Sequence, residues 1–347
     1  MRDKYFIRPL VSIILTGVIL LWSVVPGNAV QAKTKSTDPV NVIESSLKLL
    51  ERKGIPDNHE GILILKRYRY YLAEITKGNG FAEYHAGSTS PVYDYLAFAN
   101  MMHKDTWGTI VDNSLSGKDP FRGITGFFER AYLSEVDGVL DSYLIYLPKY
   151  YDADKSYPLI VLLHGYGESA YLPQFSAVHN SFLEACENHQ VIMAAPNGKH
   201  KIPYVSSYMN EGEQDVLQVI NRVRKLYTID SSRIYLTGLS MGGFGTWRLG
   251  SRHPEMFAAI APVCGYGTGQ RSVAVEIDRL KNLPVMTFHG DMDNTVSVNE
   301  TRGLVKRMQD KGYSVIYHEL PGVKHNAWDY AYQGDALVKW FLKYQKK

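Results

Sequence analysis

The chain of 347 residues is 45% hydrophobic and 21% charged, a balance that excludes intrinsic disorder and supplies enough apolar material for a large core. The formal net charge is +3 and no dense Lys/Arg block lies away from the termini, so nucleic acid is not expected as a partner. Two cysteines, Cys186 and Cys264, are too few for a disulfide framework and lack metal-ligand spacing; two buried free thiols are the expectation.

At the N-terminus, Arg2, Lys4 and Arg8 precede an apolar run from Leu10 to Val25, followed by the small residues of Gly27-Asn28-Ala29 and Val30-Gln31-Ala32. That order predicts a secretory signal peptide over residues 1–32, cleaved after Ala29 or Ala32, and a secreted or extracytoplasmic mature chain with no membrane association. An uncleaved N-terminal anchor is the alternative, although the run is short for a span and is interrupted by Ser12, Thr16 and Gly17.

Residues 33–121 read as a helical N-terminal region. Ile43, Leu47 and Leu50 share one helical face. Asp57 and Glu60 have capping-box spacing and open a second helix through Leu65, Tyr68, Leu72 and Ile75. Ser90-Pro91 opens a third, carrying Leu96, Ala99 and Met102. His59, His85 and His103 share no ligand-like spacing, and Tyr68, Tyr70 and Tyr71 read as helix-packing residues. The region therefore reads as a cap or accessory part that supplies no catalytic group.

Residues 122–347 change to alternating strands and helices. Two extended runs joined at Asp137-Gly138 predict a hairpin. Continuous apolar runs then mark buried strands at "YPLIVLLHG" and "VIMAAPN", with further strands at "RIYLTGLS", "FAAIAPVCG", "LPVMTFHG" and "YSVIYHELPG". Helices are predicted over Glu211–Tyr227, Met241–Ser251, Ser297–Lys311 and Ala327–Tyr344. A hairpin followed by β-α repeats implies an α/β fold, a mostly parallel sheet with helices on both faces.

The chemistry gathers around "YLTGLSMGGFGTW", where Gly238 and Gly242 flank Ser240 as G-x-S-x-G between a strand and a helix. A turn that sharp needs unusual backbone angles at the serine and no side chains at the flanking positions, which come too close to their neighbours. It presents Oγ above the sheet and sets the Met241 N–H at a helix N-terminus, where an anion is favoured. A serine hydroxyl needs a base, and the base an orienting acid. Downstream of the strand "VMTFHG" lie Asp291 and Asp293, and in the loop before the last helix lies His325. All sit past strand C-terminal ends, where open α/β sheets gather their sites. His289, inside a strand end, reads as structural, and His164 as shaping a loop that presents the Tyr166 N–H, so that Tyr166 and Met241 form an oxyanion hole. Trp328 and the long loop from Asn197 to Asp215 are candidate pocket walls.

These residues carry a resemblance. "YPLIVLLHGYGES", "YTIDSSRIYLTGLSMGGFGTW", "HPEMFAAIAPVCG", "HGDMDNTV" and "GVKHNAW" resemble the α/β-hydrolase superfamily. More narrowly they resemble secreted bacterial esterases of the feruloyl-esterase and polyhydroxybutyrate-depolymerase type, and serine peptidases with a prolyl-oligopeptidase-like catalytic domain. The resemblance covers about two-thirds of the chain. It implies an acid three residues after the His-Gly glycine, which selects Asp293, and a Ser240-Asp293-His325 triad without metal or cofactor. The implied function is a secreted serine hydrolase of small-molecule or polymer-derived carboxylic esters, a carboxylesterase of feruloyl or acetyl-polysaccharide type. A peptidase is the alternative, and a non-catalytic binding protein of the same fold the third. No oligomeric state follows.

Overall fold

The computed structural model describes residues 39–76, 104–165, 180–197, 208–267 and 275–346. The expected signal peptide, the helix expected after Ser90-Pro91, His85, His103 and Tyr166 lie outside the described residues. The chain forms two compact units, one reaching Leu133 and including Gly138–Ser142, the other formed by Ser134–Asp137 and everything from Tyr143 on.

The first unit holds α1 (Pro39–Arg52), α2 (Glu60–Thr76), α3 (Lys104–Leu115) and strand β1 (Gly126–Leu133). Within it α2 packs on β1. The predicted face of α1 is buried at Ile43, Leu47 and Leu50. Helix α2 forms as expected but begins at Glu60, two residues later than an Asp57 cap implies, and its cap differs. His59 Nδ1 accepts from the Gly61 amide at 3.2 Å, while Asp57 pairs with Lys66. Helix α3, which the sequence reading left out, buries Trp107, Ile110 and Val111 at helical spacing. Trp107 meets the ring of Tyr68 edge-on, with centroids 4.9 Å apart. Arg130 on β1 is fully buried, with Nε 2.7 Å from Glu60 Oε1 and Nη2 2.6 Å from Asp119 Oδ1, its guanidinium over the Phe121 ring.

The remaining strands are β2 (Leu140–Leu147), β3 (Tyr157–Leu163), β4 (Ile192–Pro196), β5 (Ile229–Leu239), β6 (Ala259–Val263), β7 (Val285–Gly290) and β8 (Val315–Leu320). The turn between β1 and β2 carries Gly138 at φ 70°. The eight strands form one sheet in the order β1-β2-β4-β3-β5-β6-β7-β8. β2 runs antiparallel to β4, and every pairing from β4 through β8 is parallel. Every residue of β3, β4 and β6 is buried, as strands covered on both faces require. This is the α/β-hydrolase arrangement the resemblance implies.

The helices of this unit are α4 (Asn180–Asn188), α5 (Glu211–Leu226), α6 (Met241–Arg252), α7 (Val298–Asp310), α8 (Trp328–Ala331) and α9 (Ala336–Phe341). α5 buries Val216, Val219, Ile220 and Val223 along one stripe. α7 is capped by Ser297, whose side chain accepts from the Asn299 amide. The single C-terminal helix expected over 327–344 is broken into α8 and α9, with Gly334 between them at φ 67°. A left-handed residue cannot continue a helix.

Candidate active site

Strand β5 ends at Leu239 and α6 begins at Met241, so Ser240 alone makes the turn, at φ 55° and ψ −113°. Such angles store about 1–3 kcal/mol in a non-glycine residue, and packing on both sides holds them. The Ser240 amide donates to Val263 O at 2.9 Å, and the Ser240 carbonyl accepts from Phe244 N at 3.0 Å. The flanking glycines supply clearance. A Cβ on Gly238 would lie 2.6 Å from the Gly242 carbonyl oxygen and 2.7 Å from Leu163 Cβ, and one on Gly242 would strike the Leu163 carbonyl. The strain thus falls on the serine and the close approach on the glycines.

His325 and Asp293 reach Ser240 because two loops are stitched side by side. β7 pairs with β8 so that Gly290 faces Leu320, and beyond the strands Asp291 N donates to Leu320 O and Met292 N to Val323 O. Asp291 Oδ1 accepts from the Gly322 amide at 2.7 Å, which makes Asp291 a lock on the turn before His325. Asp293 faces the histidine, its Oδ2 2.7 Å from His325 Nδ1, and His325 Nε2 lies 2.9 Å from Ser240 Oγ. Of the two sequence candidates for the acid, the structure brings Asp293 to His325 and gives Asp291 the turn.

The Asp293 side chain is fully buried, whereas that of His325 is 20% exposed. Burial alone would push the Asp293 carboxyl up. His289, 3.3 Å from Oδ2, together with hydrogen bonds from His325 and from the amides of Val296 and Thr295, holds it well below the usual carboxylate range. An ionised Asp293 can only accept, so His325 carries its proton on Nδ1 and turns the Nε2 lone pair toward the serine hydroxyl. The result is a proton path from Oγ to an imidazole whose far side rests on a fixed anion.

The other expected positions distribute as follows. Met241 is the first residue of α6, where backbone N–H groups have no partner within the helix. His164 is fully buried. Its amide donates to Tyr208 Oη at 2.8 Å, and its Nδ1 and Nε2 each lie 2.7 Å from a carbonyl, those of Gly165 and Asn197. These contacts tie the end of β3 to the end of β4, immediately before the undescribed Tyr166. Trp328 stands edge-on to the His325 ring, with centroids 5.3 Å apart. Of the expected pocket loop, residues 198–207 lie outside the described residues.

Cys186 and Cys264 are both free and buried. Cys264, at φ 39°, lies beneath the site. One ligand-type atom from each of Cys264, Asp293 and His325 falls within 4.8 Å of the others. The set suits hydrogen bonding better than metal binding. His325 Nδ1 and Asp293 Oδ2 already bond each other, and burial pushes the thiol far up and keeps it protonated.

Residues 142–333 match the Esterase family. A stretch of 154 residues is 26% identical to the bifunctional acetylxylan esterase/xylanase XynS20E of Neocallimastix patriciarum, covering 44% of this chain and 22% of that protein. Another of 146 residues is 28% identical to dipeptidyl-peptidase 5 of Porphyromonas gingivalis, covering 40% of this chain and 21% of that one. The matches thus span about a fifth of these relatives' lengths. Among solved structures, a thermostable esterase superposes with a TM-score of 0.56 at 28% identity over 63% of both chains.

Proposed function

The chain belongs to the Esterase family, and on that premise we propose that it is a serine carboxylesterase working through an acyl-enzyme. The observation that carries the proposal is the line of contacts Ser240 Oγ, His325 and Asp293 at 2.9 and 2.7 Å, with the serine in a strained turn at the head of α6. Ser240 Oγ attacks the acyl carbonyl while His325 Nε2 takes its proton. Asp293 holds the His325 tautomer and stabilises the imidazolium. The Met241 N–H, joined by that of Tyr166, receives the oxyanion. His325 then protonates the departing alcohol. A water molecule gives a proton to His325 and attacks the acyl group, and His325 returns that proton to Ser240 Oγ as the acid is released.

The substrate class proposed is an extracellular ester, of feruloyl or acetyl-polysaccharide type. The acetylxylan esterase relative supports it. So does the N-terminal order of Arg2, Lys4 and Arg8, an apolar run and small residues, which reads as an export signal. No helix among the described residues is long and apolar enough to cross a membrane. The match to a dipeptidyl-peptidase keeps a peptidase as the second reading. A panel of feruloyl, acetyl and short-chain acyl esters beside peptide amides decides between them. Turnover confined to amides overturns the esterase reading. Covalent labelling by a fluorophosphonate, absent in Ser240→Ala, tests the nucleophile, and a parent protein that takes no label is a binding protein instead.

A further inference from the structure

His289 is the last residue but one of β7, fully buried, and the sequence reading gave it no part in the chemistry. In the structure its Nε2 lies 3.0 Å from Val296 O and 3.3 Å from Asp293 Oδ2. Its Nδ1 lies 2.8 Å from Thr301 Oγ1 of α7. With two oxygens beside Nε2, that nitrogen carries a proton, bonded to the Val296 carbonyl with the Asp293 carboxylate 3.3 Å away. Asp293 Oδ2 therefore has two imidazole neighbours, His325 and His289, while Oδ1 accepts the Thr295 and Val296 amides at 2.8 and 2.9 Å.

We propose, resting on the triad reading above, that His289 is a positioning residue that tunes His325 through Asp293. A second N–H on Oδ2 draws negative charge away from the oxygen that faces His325 Nδ1. The carboxylate stays ionised and oriented, yet grips the His325 proton less tightly than an unshared one would. His325 is thereby left readier to hand on the proton it takes from Ser240. Thr301, whose hydroxyl lies 2.8 Å from Nδ1 and 3.4 Å from the Gly265 carbonyl, holds the ring in place.

Other groups near Asp293 and His289 do not titrate in competition. The Cys264 thiol, on the loop after β6, is kept protonated by burial. On β8, Glu319 is held down to about 2 by its hydrogen bonds from Arg302 of α7 and from Tyr317, and stays anionic. Tyr317 is pushed up by burial and by Glu319, and stays neutral.

The sign of the effect separates tuning from scaffolding. If His289 tunes, removing its donor strengthens the hold of Asp293 on the His325 proton. The acid limb of kcat/KM, which reports loss of the free base, then moves up. If His289 only props the loop, Asp293 drifts, its hold weakens, and the limb stays or moves down. The experiment measures kcat/KM against pH on a small activated ester for the parent, His289→Leu, His289→Gln and Thr301→Val. Gln can place an amide N–H where Nε2 sits.

For His289→Leu the acid limb is expected to rise by roughly half to one pH unit, and for His289→Gln to return toward the parent. Thr301→Val should shift it in the same direction by less, and serves as the readout where His289→Leu fails to fold. An unmoved or lowered limb in His289→Leu, or in Thr301→Val when it stands in, overturns the proposal. Fluorophosphonate labelling runs alongside. A parent that takes no label at Ser240 removes the triad reading, whereas a labelled parent with an unmoved limb removes only the role of His289.

Discussion

Both units bury charge, and they use it differently. In the N-terminal unit, Arg130 is closed between Glu60 and Asp119, and Arg67 bonds Glu129, both of its members almost fully buried. In the second unit, the fully buried Asp293 faces His325, which is partly exposed and faces in turn a serine at a strand's C-terminal end. The first arrangement pairs permanent charges and leaves no proton to move. The second ends on a neutral hydroxyl and an imidazole, groups able to exchange a proton near neutral pH. Buried charge by itself therefore marks structure. Charge relayed to a strained, reachable nucleophile marks chemistry.

The widest gap between the units should open at the nucleophile. Ser240→Ala should keep the fold and lose turnover by on the order of 10⁶-fold. Retention of more than about a hundredth of the rate, on that scale, would place the chemistry elsewhere. Next comes the acid. Asp293→Asn should lower kcat by about 10⁴-fold, because the amide favours the wrong tautomer of His325. Asp291→Asn keeps an acceptor for the Gly322 amide and should do far less. A reversed ranking would move the acid to Asp291.

In the helical unit the contrast should invert. Arg130→Met leaves Glu60 and Asp119 facing an apolar side chain and should destabilise by about 3 kcal/mol, read from a denaturant titration. Turnover of a small ester per folded molecule should stay within about tenfold, or 1.4 kcal/mol of barrier. A folded Arg130→Met protein with an unreactive Ser240 would mean that the helices take part in the chemistry.

The smallest effect is in acid stability. The Asp293 carboxyl is held down in the folded state, so its stabilisation is complete above its unfolded pKa of about 4 and is lost as pH falls further. The stability difference between parent and Asp293→Asn should be level above about pH 5 and narrow below about pH 4. A difference that widens in acid would show that burial outweighs the hydrogen bonds.

Residue patterns carried the strands, most of the helices and the elbow, because periodicity and close packing are local properties. Gly238 and Gly242 around Ser240 could be read as a strand-to-helix turn without coordinates, since only a missing Cβ fits there. The chain order of serine, acid and histidine was equally legible. Less legible were features that depend on what lies opposite. Nothing in "MHKDTW" announced α3, whose Trp107 is recognisable as core only once Tyr68 of α2 faces it. The cap of α2 passed from Asp57 to His59 for a similar reason, Lys66 being within reach of the carboxylate.

What the amino-acid order determined by itself was the class of fold and the set of candidate site residues. The tertiary structure decided how they are shared out. Asp291 and Asp293 are one residue apart and chemically identical, and the β7–β8 register, continued by the Asp291–Leu320 and Met292–Val323 bonds, turns one to Gly322 and the other to His325. His325 lies 85 residues from Ser240 and 32 from Asp293, separations over which side-chain preference carries no information. Only parallel strands ending at one edge bring them within a hydrogen bond. The same edge places His289 beside the Asp293 oxygen that also meets His325, a contact that sequence spacing alone does not distinguish from a buried strand residue.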